Sequence, residues 1–149
     1  MVTEDPAAAD RQAVVPMISY ADGPAAMDWL TAAFGFVERL RWLDDDGRLS
    51  HGEMLAGDGL IMLATPTPEY EGPKAHREHC AQARAWSSVP WVVDGMLVYI
   101  DDVDAHCARA RAAGATILSE PEGGYPGRRY RVEDLEGHRW MFTERAAPA

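Results

Sequence analysis

At 149 residues, 47% of them hydrophobic, the chain can form one compact domain or two small half-domains that share a core. A formal net charge of −10 argues against nucleic acid and anionic membrane surfaces and modestly favours neutral or cationic partners, although solubility is the simpler account. Cys80 and Cys107 are too few for a disulfide framework, and no apolar run reaches the length of a membrane span, so a reducing cytoplasm is the expected setting.

Residues 1–13 are rich in Ala, Asp and Glu and lack the order of a secretory signal; they read as a disordered tail. Residues 14–20, VVPMISY, form a short apolar strand. Asp22 is an N-cap, Pro24 sits in the first turn, and residues 25–34 make a helix stopped by Gly35. Three strands follow at 36–43, 49–55 and 60–64, the first two joined by the turn Asp44-Asp45-Asp46-Gly47. Residues 14–65 are thus one β-α-β-β-β module. The connector, 66–94, is longer than an ordinary loop and carries a helix over about 74–86; it is either a binding loop or a plain bridge.

Residues 95–144 repeat the order. A strand at 95–100 leads to Asp102, which caps a helix that Gly114 ends, and a strand at 116–119 precedes a hairpin around Asp134-Leu135-Glu136-Gly137. Gly35 and Gly114 lie 79 positions apart, as do Met62 and Met141, which is the mark of an internal repeat.

Four stretches in this order, VVPMISYADGPAAMDWLTAAFGFVE, SHGEML, LVYIDDVDAHCARARAAGA and RRYRVEDLEGHRWMF, resemble the vicinal oxygen chelate superfamily, in particular its glyoxalase/bleomycin-resistance and PhnB-like branches. The resemblance spans about residues 14–144, and its most specific part is the D-x-E-G-H-R-W hairpin. It implies an α+β fold of paired β-α-β-β-β modules, their curled mixed sheets surrounding a central cleft in one compact domain, and a homodimer. Its metalloenzymes take His or Gln from the first strand of each module and Glu from the last. The matching positions here are Val15, Met62, Met96 and Met141, none of which suits a hard divalent ion, so no cofactor is expected.

A regular hairpin through 56–59 sets Glu53 opposite Met62 and gathers His51, Glu53, Met62 and Ala64 on one face, the face the resemblance assigns to the cleft. The same construction in the second module gathers Tyr130, Val132, Arg139, Met141 and Thr143 and turns Arg129 and Arg131 away. Val15, Met17, Met96 and Val98 complete an apolar cleft, over which Trp86 or Trp91 can stack. His51 and Glu53 either brace the sheet or form an acid/base pair. His76, His79 and Cys80 have a spacing that can serve a transition metal, but a solvated helix face explains them more simply. Two functions remain open. One is metal-free binding of a small aromatic or cationic compound, as in antibiotic resistance by sequestration, with Val15, Met62, Trp86, Trp91, Met96, Tyr130 and Met141 as contacts. The other is a metal-independent lyase or isomerase using His51 and Glu53.

Overall fold

The computed structural model describes residues 11–92 and 94–145, so the first ten residues of the expected tail lie outside it. The chain is α+β and divides into two units, with the boundary between Glu71 and Gly72.

In the first unit, β1 (Met17–Ser19), α1 (Gly23–Phe34), β2 (Val37–Leu43), β3 (Leu49–Ala56) and β4 (Gly59–Ala64) build a sheet in the order β1-β4-β3-β2. β1 runs parallel to β4, and the other pairs are antiparallel. Asp22 caps α1 by accepting a hydrogen bond from Ala25 N at 3.1 Å, and Gly35 ends the helix at φ 72°. Ala26, Met27, Leu30, Ala33 and Phe34 are buried, as are Ile18, Met54, Ile61 and Leu63 from the strands. Gly52 permits this packing: a Cβ there would lie 2.8 Å from Met27 Sδ. Gln12, placed in the tail by its composition, is anchored, because its side chain donates to Leu60 O and accepts from Leu60 N.

The second unit begins with two short helices, α2 (Pro73–His79) and α3 (Ala81–Ser87), where a single helix was expected. Cys80, in an extended conformation, separates them. β5 (Gly95–Ile100), α4 (Val103–Ala112), β6 (Thr116–Glu122), β7 (Arg129–Glu133) and β8 (Arg139–Glu144) then repeat the plan, with sheet order β5-β8-β7-β6. Asp102 caps α4 through Ala105 N, and Gly114 follows the helix at φ 91°. Val103, Cys107 and Ala110 are buried, with Val98, Tyr130, Val132, Trp140 and Phe142 from the sheet. The strand order and the mixed parallel and antiparallel pairing are the same in both sheets. Each sheet rests one face on its own long helix, and the opposite, open face carries the exposed Met17 in the first unit and the exposed Leu97 and Tyr99 in the second.

Candidate functional site

Strand pairing determines what each open face carries, because residues directly opposite one another share a face. On the first sheet, Leu40, Glu53, Met62 and Met17 form one row, and Trp42 stands opposite His51 in the next. The expected pairing of Glu53 with Met62 and of Leu55 with Leu60 is present. His51 Nε2 lies 3.1 Å from Glu53 Oε1, and Arg39 Nε lies 3.5 Å from Glu53 Oε2. Both carboxylate oxygens are therefore engaged. Val15 and Met62 pack against Leu55 and Leu60, while Met17 is 81% exposed.

The second sheet differs from the expected arrangement by one residue. The loop of its hairpin contains five residues, not four: Asp134 N donates to His138 O, and the strands close at Glu133 opposite Arg139. One residue more in the loop moves every β7 side chain to the other face relative to β8. Tyr130 and Val132 consequently lie under the sheet, and Tyr130 is fully buried with its hydroxyl 2.6 Å from His106 Nδ1. Burial pushes its phenol upward, with a smaller contribution from Cys107. Arg129 and Arg131, expected to point away, share the open face with Met141. Three rows cross that face: Thr116, Glu133, Arg139 and Gly95; then Ser119, Arg131, Met141 and Leu97; then Glu122, Arg129, Thr143 and Tyr99. Leu97, rather than Met96, is the β5 residue beside Met141 on this face, and Met96 alternates with it.

The D-x-E-G-H-R-W stretch fastens the connector to this unit. Asp134 Oδ1 accepts from Glu136 N and His138 N, each at 3.0 Å, and Oδ2 accepts from the buried Trp140 indole at 3.1 Å. Gly137, at φ 91°, leaves room for the first turn of α2; a Cβ there would be 2.7 Å from Lys74 N, which donates to Glu136 O. Arg139, only 5% exposed, donates from Nη1 to Val89 O (2.6 Å) and Val92 O (3.0 Å) and from Nη2 to Ser87 O (2.6 Å). Its Nε meets Glu133, which also receives both terminal nitrogens of Arg77 from α2. The connector is thus strapped to the second sheet by two arginines that share one carboxylate.

Between the strap and the sheet lies a pocket of about 180 Å³, lined chiefly by Trp91, Met96, Leu97, Arg131, Arg139 and Met141. Two of the expected contacts, Trp91 and Met141, meet here; Met96 borders the pocket from a strand position whose side chain alternates to the other face. Trp86, 52% exposed on α3, is not among the lining residues, and Val15 and Met62 belong to the first unit. Trp91 is 70% exposed, and the Arg131 guanidinium lies 5.8 Å from its ring centroid. At the positions matched to the family's ligands, Met62 and Met141 offer thioethers, which do not suit a hard divalent ion; the Met62 row also carries Glu53, with His51 in the next row. On the connector, the His76 and His79 rings meet edge to face at 5.3 Å.

Two β-α-β-β-β units, each with its own four-stranded mixed sheet, define a paired-module protein. The chain belongs to the glyoxalase/bleomycin resistance protein/dioxygenase superfamily, whose model matches residues 13–142. It is similar to the Mycobacterium tuberculosis protein Rv0887c, with 32% identity over 89% of this chain and 74% of that one. Among solved structures it is similar to TioX from Micromonospora sp. ML1, with 32% identity, a TM-score of 0.65 and coverage of 93% of this chain and 99% of that one. TnmS3, an antibiotic binding protein from Streptomyces sp. CB03234, shares the fold at 20% identity and a TM-score of 0.58, covering 91% and 98%. No helix among the described residues is long and apolar enough to cross a membrane.

Proposed function

We propose that this chain is a binding protein that holds a small aromatic molecule in the pocket of its second unit and releases it unchanged. The observation that carries this reading is the pocket itself, with an indole wall at Trp91 and a floor of Leu97 and Met141. Thioethers reshape around a ring, and each sulfur–aromatic contact contributes about 0.3 to 1.5 kcal/mol. Binding of this kind needs no resident divalent metal, in keeping with the thioethers at Met62 and Met141. Of the aromatic and cationic ligands expected, the aromatic class is retained, because Arg131 stands where a cation would be repelled. Kinship with TnmS3, named as an antibiotic binding protein, supports sequestration of an antibiotic-like compound. A PhnB-like lineage, a homodimer and a cytoplasmic location complete the proposal.

The test is calorimetric titration of purified protein with a panel of small aromatics, followed by mass spectrometry of the released ligand and metal analysis of the protein. Saturable binding of an unaltered compound is expected, and Trp91→Ala should weaken it. Conversion of the bound compound would instead favour the metal-independent lyase or isomerase reading. The 3.1 Å contact between His51 and Glu53 supports that alternative, and Glu53→Gln should then abolish turnover.

A further inference from the structure

The middle row of the second open face is Ser119, Arg131, Met141 and Leu97, and Arg131 is its one charged member. The rows on either side balance their charges differently. Glu133 is held between Arg77 and Arg139, and Arg139 spends its remaining donors on the carbonyls of Ser87, Val89 and Val92. Arg129 is paired in register with Glu122 but forms no ion pair with it among the described residues, and its guanidinium donates to Tyr125 O instead. Arg111 and Arg128 pair with Glu120 and Asp104. The Arg131 side chain, by contrast, meets no carboxylate among the described residues, and its contact there is the Trp91 ring face. Its cross-strand neighbours are a serine and a methionine. In a chain with 24 acidic and 14 basic residues, a guanidinium without a carboxylate, set into a pocket wall of indole and thioether, is conspicuous.

We infer that this pocket selects a flat aromatic acid, its ring stacked on Trp91 over Met141 and Leu97 and its carboxylate or sulfonate received by Arg131. The inference rests on the binding reading above and adds the ligand's charge to it. A guanidinium offers a planar fork of donors that matches two carboxylate oxygens at once, and it stays charged at any working pH. Apolar walls reduce competition from water, which strengthens the pairing. Its position beside Trp91 lets one ligand use both groups, the ring on the indole and the acid on the fork.

The experiment titrates the full chain with three probes of equal shape: 2-naphthoate, 2-naphthamide and 2-naphthylmethylammonium. Heat and tryptophan fluorescence are the readouts. The acid is expected to bind tightest and the ammonium weakest. Arg131→Gln should lower naphthoate affinity about tenfold, the usual effect of losing a charged hydrogen bond, and bring acid and amide together. Arg131→Lys should restore part of the difference. Should Arg131→Gln fold poorly, Ser119→Glu serves in its place: it sets a carboxylate on the strand position paired with Arg131 and should cancel the preference, with Ser119→Ala as the control for losing the hydroxyl that accepts from Arg131 N at 3.2 Å. Equal binding of all three probes, or an acid preference that survives both Arg131→Gln and Ser119→Glu, overturns this inference and leaves the binding reading intact. Failure of the neutral amide and the acid alike to bind overturns both.

Discussion

Arg139→Met is the most informative perturbation of the scaffold. The substitution keeps most of the aliphatic stem and removes the guanidinium that joins β8 to the end of the connector. Three carbonyls, Ser87 O, Val89 O and Val92 O, lose their donor, and Glu133 keeps only Arg77. The carbonyls belong to half-buried connector residues that water can reach, so their loss is partly made good. The Glu133 side chain is only 6% exposed, and removing one partner of a buried pair costs about 3 to 5 kcal/mol. Because Arg77 remains on the carboxylate, the lower end of that range applies, about 3 kcal/mol. For a chain of this length that corresponds to a fall in Tm of about 6 to 12 °C. Near-ultraviolet circular dichroism during heating reads the transition, and limited trypsin digestion reads release of the connector at Arg77 and Arg84. The double variant Glu133→Gln/Arg139→Met should be less destabilised than Arg139→Met, because it leaves no carboxylate short of a partner. A Tm within a degree or two of wild type, with the connector still protected, would refute the strap.

Three further outcomes are expected. Asp102→Ala removes the side chain that caps α4 at Ala105 N and should cost about 1 kcal/mol in denaturant unfolding. Gly137→Ala demands a left-handed backbone and drives a Cβ onto Lys74 N, so it should cost about 2 kcal/mol and expose the connector to trypsin. Tyr130→Phe should leave ligand affinity unchanged, since the ring lies on the α4 side of the sheet, but it should alter the alkaline limb of stability. Burial raises the phenol above its ordinary 10.0, so the folded state keeps a proton that the unfolded chain releases. Its contribution is complete below pH 10.0 and declines above it by about 1.4 kcal/mol per pH unit, a decline absent in Tyr130→Phe. Cys107, also raised by burial, is present in both proteins, and Cys107→Ala in each background removes its coupling to Tyr130.

What the sequence made legible was local chemistry repeated at a fixed offset. Asp22 and Asp102 read as caps and are caps; Gly35 and Gly114 read as helix stops and take positive φ. Met62 and Met141 occupy the same place in the two sheets, each flanked by a parallel and an antiparallel neighbour. The first hairpin was assigned its register because Gly57 and Asp58 form a two-residue turn with little latitude. The second was not, since Asp134-Leu135-Glu136-Gly137 is a complete turn in itself and nothing in it announces that His138 belongs to the loop. That one residue exchanged Tyr130 for Arg131 on the open face. The roles of Glu133 and Arg139 were equally hidden. A strap depends on where carbonyls 87, 89 and 92 arrive, and residue types in the connector do not encode that.

The corrected register also shows where the two repeats part company. Aligned on Met62 and Met141, the row Leu40, Glu53, Met62 and Met17 corresponds to Ser119, Arg131, Met141 and Leu97. Both rows keep an apolar pair on the parallel strands, which is what a shared sheet geometry requires, and both place one charge on the adjacent strand. The signs are opposite, and so are the surroundings. Glu53 has His51 on one oxygen and Arg39 near the other, so its charge is taken up within its own sheet. Arg131 has an indole face and uncharged cross-strand neighbours, leaving its charge for something outside the described chain. A guanidinium half-removed from water without an acceptor is costly, and the neighbouring arginines find a carboxylate or, as Arg84 and Arg129 do, a backbone carbonyl. Several other arginines of this unit, Arg77, Arg111, Arg128 and Arg139, are relieved by a carboxylate. On the reading proposed above, Arg131 is the charge set aside for an anionic guest, which would put selection in the second unit; an acid preference lost in Arg131→Gln but kept in Glu53→Gln is the expected outcome.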